Sequence, residues 1–204
     1  MWLGNGTGTF GDGSLPADAI GGPVINYAIP EIPSWLAAGS FGSGQGGGPI
    51  DLAAAYPASN EAGMLLSQGN GAFSLSVPLS VGILPTSLAV GDLNTDGLLD
   101  LVTANQASLT VSVLLGRLPF ASAASYSVGN GMWEVALGNF NPDDILDVAT
   151  VYPNNAGTTG SVTLLPGIGD GTLNIDAAVS FDVKTAEDNR DIHNVDDSRD
   201  PLVR

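Results

Sequence analysis

The chain has 204 residues, of which 28 are Gly, 13 are Pro and none is Cys; it is 44% hydrophobic and only 13% charged. That composition favours short strands and tight turns over a helical bundle, and it excludes disulfides, thiolate metal sites and cysteine nucleophiles. Against 5 basic residues stand 21 acidic ones, and the resulting net charge of −16 repels phosphate backbones and anionic lipid while attracting divalent cations, so no nucleic-acid partner is expected.

The opening MWLGNGTGTFGDG has no basic region and no apolar core, so no secretory signal is read there. No apolar run in the chain reaches the ~18 residues of a membrane span, so no membrane insertion is expected. Gly6, Gly8 and Gly11 match a dinucleotide-binding spacing, but they follow a strand end and open no helix, so they are a by-product of a repeated phrase.

That phrase, WLGNGTGTF, reads as the last strand of a partial unit over residues 1–10. A first whole unit, residues 11–73, contains WLAAGSFGSGQGGGPIDLAAAY and closes with MLLSQGNGAF. It has the frame strand, loop, strand with Asp51 at the loop's end, but Gly and Ser replace the oxygen-bearing side chains, so this loop is expected to have lost any metal.

The second unit, residues 74–120, holds the clearest motif, SLAVGDLNTDGLLDLVTAN. Alternate residues of a tight loop turn their oxygens inward and can wrap a hard cation that takes six to eight oxygen ligands. Asp92, Asn94, Asp96 and Asp100 would supply side chains, Leu98 its carbonyl, and Gly97 the sharp turn; Ca2+ is the expected ion. An EF-hand is excluded, because its closing carboxylate position is Thr103 and the flanks read as strands. Val111 and Val113 then alternate with Ser112 as in a half-buried strand, and VLLGRLPF closes the unit.

The third unit, residues 121–173, repeats the motif without a gap as WEVALGNFNPDDILDVATVY. Asn139, Asn141, Asp143 and Asp147 take the side-chain roles and Ile145 the carbonyl role; fewer carboxylates, and Asp144 in place of Gly97, predict weaker binding. Asp-Asn-Gly clusters also serve β-turns, but recurrence in one frame favours a cation. LLPGIGDGTL closes the unit. Residues 174–204 contain NVDDSRDPLV, which lines up with NPDDILDVAT and is either a partial degenerate unit or an acidic tail. Trp35 and Trp133 precede loop-entering strands and are expected to pack between units, and the lone His193 lies in a polar stretch. Nothing pairs a nucleophile with a base, so the chain is not expected to be an enzyme.

A period of roughly 50 residues with about four strands per unit marks propeller blades. The loops and closing phrases resemble the FG-GAP repeats, also described as VCBS repeats, of the integrin alpha-subunit-type β-propeller. The expected fold is therefore all-β: four-stranded antiparallel blades, roughly three complete and two partial. Two arrangements follow, a piece of a larger propeller whose remaining blades are missing here, or a four-bladed ring closed by the strand around Trp2. The resemblance implies an extracellular or cell-surface, non-catalytic calcium-binding module for adhesion or protein recognition. A glycan-binding propeller, or an accessory domain of a larger secreted enzyme, is the alternative.

Overall fold

The computed structural model describes residues 29–41, 48–69, 72–76, 78–117, 120, 122–129, 132–153 and 159–184. The opening phrase, most of the glycine-rich loop after Phe41 and the acidic segment from Asn194 lie outside the described residues. Within them the chain is all-β apart from one 3-10 turn, Ile175–Ala177.

Three antiparallel sheets follow one another along the chain. The first comprises β1 (Trp35–Gly39), β2 (Asp51–Tyr56), β3 (Glu61–Ser67) and an outer edge in two pieces, β4 (Phe73–Leu75) and β5 (Leu79–Ser80), both pairing with β3. The second is β6 (Pro85–Gly91), β7 (Asp100–Asn105), β8 (Thr110–Leu114) and β9 (Ala124–Ser127), and the third is β10 (Glu134–Gly138), β11 (Asp147–Pro153), β12 (Thr159–Leu165) and β13 (Val179–Lys184). Apart from this split edge, each strand pairs with the next in its sheet, the order that short turns between alternating apolar segments produce.

The sheets are out of phase with the sequence units. The strand after each closing phrase joins the sheet before it, so Val179–Lys184 is no start of a fifth unit. It is the outer strand of the third sheet, running from Val179 opposite Leu164 to Lys184 opposite Thr159. The closing phrase is the turn that carries the chain from the third strand to the fourth.

Registers are equivalent in all three sheets. Gly39 opposes Asp51, Gly91 opposes Asp100 and Gly138 opposes Asp147, so the loop between the first two strands leaves and rejoins each sheet at the same place. Side chains alternate between faces from there. In β7, Leu101 packs with Leu88, Leu114, Phe41, Ala53 and Met64 of the core shared with the first sheet. Val102 and Ala104 point the other way and pack with Val111, Val113, Val148 and Leu165 of the core shared with the third. Every residue of β7 is buried, as a strand covered on both faces requires. Fully burying one Val or Leu side chain is worth ~1.5–3 kcal/mol, so these two cores hold the array together.

The first strands sit side by side, β6 against β1 and β10 against β6, as in a radial stack of blades. The described sheets do not close into a ring. Val151, Val179, Phe181 and Val183 on the far face of the third sheet are exposed.

Candidate metal loops and the aspartate ties beneath them

The aspartate that ends each loop is buried, and its carboxylate is already engaged. Asp100 accepts the Leu93 N–H at 2.8 Å on one oxygen and the Gly116 N–H at 2.7 Å on the other. Asp147 does the same with Phe140 at 2.9 Å and Gly167 at 2.9 Å. Asp51 does so with Phe41 at 3.0 Å and Ser67 at 2.7 Å. In each sheet one carboxylate thus joins the start of the loop to the end of the third strand, a span that no ladder hydrogen bond covers. Ionised acceptors make the stronger hydrogen bonds. Burial pushes the Asp100 carboxyl above its usual range, the two N–H donors pull it down, and the nearby Asp96 and Asp92 charges add to the rise.

The tie also accounts for the glycine in the closing phrase. At Gly116 a Cβ would collide with the Leu99 carbonyl oxygen, and at Gly167 with that of Leu146, because the donor's backbone lies directly against the loop. The first sheet has Ser67 at the equivalent place.

The remaining loop donors are half-buried or exposed and turned toward the loop's own backbone. Asp92 accepts the Asp96 N–H at 3.1 Å and the Gly97 N–H at 2.9 Å, while Asn94 Oδ1 accepts Asp96 N–H at 3.2 Å. Asp96 Oδ1 accepts the Leu98 N–H at 2.8 Å, and its second oxygen takes the Asn94 amide at 3.0 Å. The second loop repeats this pattern: Asn141 Oδ1 accepts Asp143 N–H at 2.9 Å and Asp143 Oδ1 accepts Ile145 N–H at 3.0 Å. Asn139, with its amide turned to satisfy both neighbours, accepts the Asp144 N–H at 3.0 Å and donates to the Asn141 carbonyl, and the Asn141 amide donates to Asp147 Oδ1 at 3.3 Å. Gly97 has φ 84° and its counterpart Asp144 φ 60°, so both loops make the same left-handed turn. One position earlier but one they differ: Thr95 has φ 57°, whereas proline cannot take a positive φ, and Pro142 stands at its counterpart.

The structure brings Asp92, Asn94, Asp96 and Leu98 onto one loop with Asp100 beneath, and Asn139, Asn141, Asp143 and Ile145 onto another with Asp147 beneath. Among the described residues no group of three or more Asp, Glu, His or Cys side chains converges as an ion cage. The donor set is nonetheless calcium's in kind: carboxylate, amide and carbonyl oxygens.

Two features were not legible in the sequence. Behind the apolar phrase LDLVTAN lies a buried polar chain, in which Thr103 Oγ1 donates to Asn105 Oδ1 at 2.9 Å. The Asn105 amide donates in turn to Ser112 Oγ at 2.9 Å and Thr110 Oγ1 at 3.2 Å. Gly82 lies against this chain, where a Cβ would strike Ser108, Asn105 and Thr110. The tryptophans, expected between sheets, are instead on the surface: Trp35 is 39% and Trp133 56% exposed. Trp133 sits one residue before β10, outside its ladder, and so is not drawn into the inter-sheet core.

The loop of the second sheet, its two flanking strands and the strand after them coincide with a known repeat. Residues 84–114 match the family model described as the FG-GAP repeat. Over these residues the chain is similar to an FG-GAP repeat. The match begins just before β6 and ends with β8, so it spans the loop, Asp100 and the strand leading to Gly116. No curated protein and no solved structure matches the chain.

Proposed function

We propose that the chain is a non-catalytic, calcium-binding β-propeller-type module for adhesion or protein recognition. An FG-GAP repeat points to such a module, and the repeat family is non-catalytic and typically extracellular. Among the described residues no helix is long and apolar enough to cross a membrane. The observation that carries the reading is the recurrence of the oxygen-rich loop in equivalent register on the second and third sheets, each above a buried aspartate tie.

In this reading Asp92, Asn94, Asp96 and the Leu98 carbonyl hold the first ion, and Asn139, Asn141, Asp143 and the Ile145 carbonyl a weaker second one. Asp100 and Asp147 complete the two ligand sets and tie each loop to its sheet from below. The ion supplies charge neutralisation: it relieves the repulsion among Asp92, Asp96 and Asp100 and fixes the loop between two strands. Its effect is therefore on stability, by mass action on the native state. The exposed apolar face of the third sheet takes a further blade.

Calcium is expected to raise the unfolding temperature of the full chain, and Asp96→Ala to remove most of that rise. Thermal unfolding with calcium and with chelator measures both; an undiminished calcium shift in Asp96→Ala would place the ion elsewhere.

A further inference from the structure

At the end of the array away from the aspartate loops, a depression of about 350 Å³ is lined by Ser34, Trp35, Thr86, Gln106, Trp133 and Glu134. It joins all three sheets, since Trp35 begins β1, Thr86 lies in β6, Gln106 follows β7 and Glu134 begins β10. We propose that this depression is a binding site for a neutral saccharide.

The backbone beneath both tryptophans is fixed. The Ser34 N–H donates to Ala55 O at 3.0 Å and its hydroxyl to Pro85 O at 2.8 Å. The Trp133 N–H donates to Val151 O at 3.0 Å, and Trp133 O accepts the Thr86 hydroxyl at 2.9 Å. Two indoles are thus held half in water on a rigid floor, where burying them between sheets would have been favourable. Gln106 and Glu134 line the depression with them, neither engaged in a side-chain hydrogen bond among the described residues.

Aromatic planes with adjacent planar polar groups suit a pyranose. Its C–H face lies on an indole while vicinal hydroxyls donate to the carboxylate and exchange hydrogen bonds with the amide. The size is that of a small-ligand pocket with few polar groups. Charge narrows the class. Between residues 29 and 183 Arg117 is the one basic residue, and it follows Gly116 at the aspartate-loop end. With Glu134 in the wall and no basic residue among the six that line the depression, sialylated, uronic and sulfated sugars are disfavoured.

The site gives the recognition reading a ligand class. It rests on that reading only for the absence of catalysis, and not on calcium at the loops. The test is a glycan array followed by tryptophan-fluorescence titration of the full chain with the neutral saccharides that respond, with sialyllactose, heparin fragments and arginine amide as controls. Neutral saccharides are expected to bind, Trp133→Ala to weaken them by about tenfold or more, and Glu134→Gln to weaken them less. Circular dichroism checks that Trp133→Ala is folded, and Trp133→Phe should retain part of the affinity. Asp96→Ala, kept below its melting temperature, should bind sugar as the wild type does, so failure of the calcium reading leaves this one standing. No neutral saccharide binding at millimolar concentration, a response confined to the anionic sugars or arginine amide, or unchanged binding in Trp133→Ala would each overturn the proposal.

Discussion

Gly116 and Gly167 work by what they lack. Each presents its N–H to a buried carboxylate while the neighbouring loop's carbonyl occupies the space where a Cβ would be. A methyl there must push two backbones apart, and overpacking of this kind costs about 1–3 kcal/mol. Gly116→Ala is therefore expected to lower stability by that amount in chemical denaturation, and the loss of the Asp100 hydrogen bond should accompany it. Ser67→Gly is the matched control, since the first sheet already accommodates a side chain at this place; its effect should stay within about 1 kcal/mol. Equal losses in the two variants would mean that the close approach to Leu99 is not what selects glycine.

At the level of the loop, the closing aspartate has a structural task besides the ligand role its spacing suggests. The spaced oxygens were legible because they recur with fixed spacing, and so were the strands, whose apolar alternation follows the period of the pleat. The partner of the last aspartate was not, because Gly116 lies 16 residues further along and is joined to Asp100 only through the ladder between β7 and β8. One signal pointed to it: Asp51 persists in the loop whose other oxygens have become Gly and Ser. An aspartate kept without its co-ligands has another task, and the structure places it between the N–H groups of Phe41 and Ser67. The exposure of the tryptophans was not legible for a different reason: apolar character does not distinguish a core side chain from one at the open end of a sheet, where Trp35 begins β1 and Trp133 lies a residue before β10. Asp51→Asn should cost about 1–3 kcal/mol, because an amide cannot accept both N–H groups and one is left buried and unpaired. The loss should be the same with calcium and with chelator. A loss that calcium reverses would return Asp51 to the metal ligands.

Across the whole array the faces repeat as faithfully as the loops. On the side of the second sheet that meets the third, Val102, Ala104, Val111, Val113, Ala124 and Tyr126 occupy register positions whose counterparts in the third sheet are Ala149, Val151, Val162, Leu164, Val179 and Phe181. The first set contributes to a core in which Val102, Ala104, Val111 and Val113 are buried. In the second set Val151, Val179 and Phe181 face solvent. The same apolar pattern thus has a covering sheet in one place and none in the other, and a contiguous exposed apolar face of this kind favours association. Placing a charge on each separates the two environments. Val111→Lys buries an unpaired ammonium and should abolish the cooperative unfolding transition or shift it sharply downward. Phe181→Lys should leave the unfolding midpoint within about 0.5 kcal/mol of wild type, because that side chain is 52% exposed. It should at the same time reduce binding of a hydrophobic dye and shift sedimentation toward the monomer. If Phe181→Lys instead destabilises the isolated chain as strongly as Val111→Lys, the far face of the third sheet is already covered in solution, and no further blade is needed to complete it.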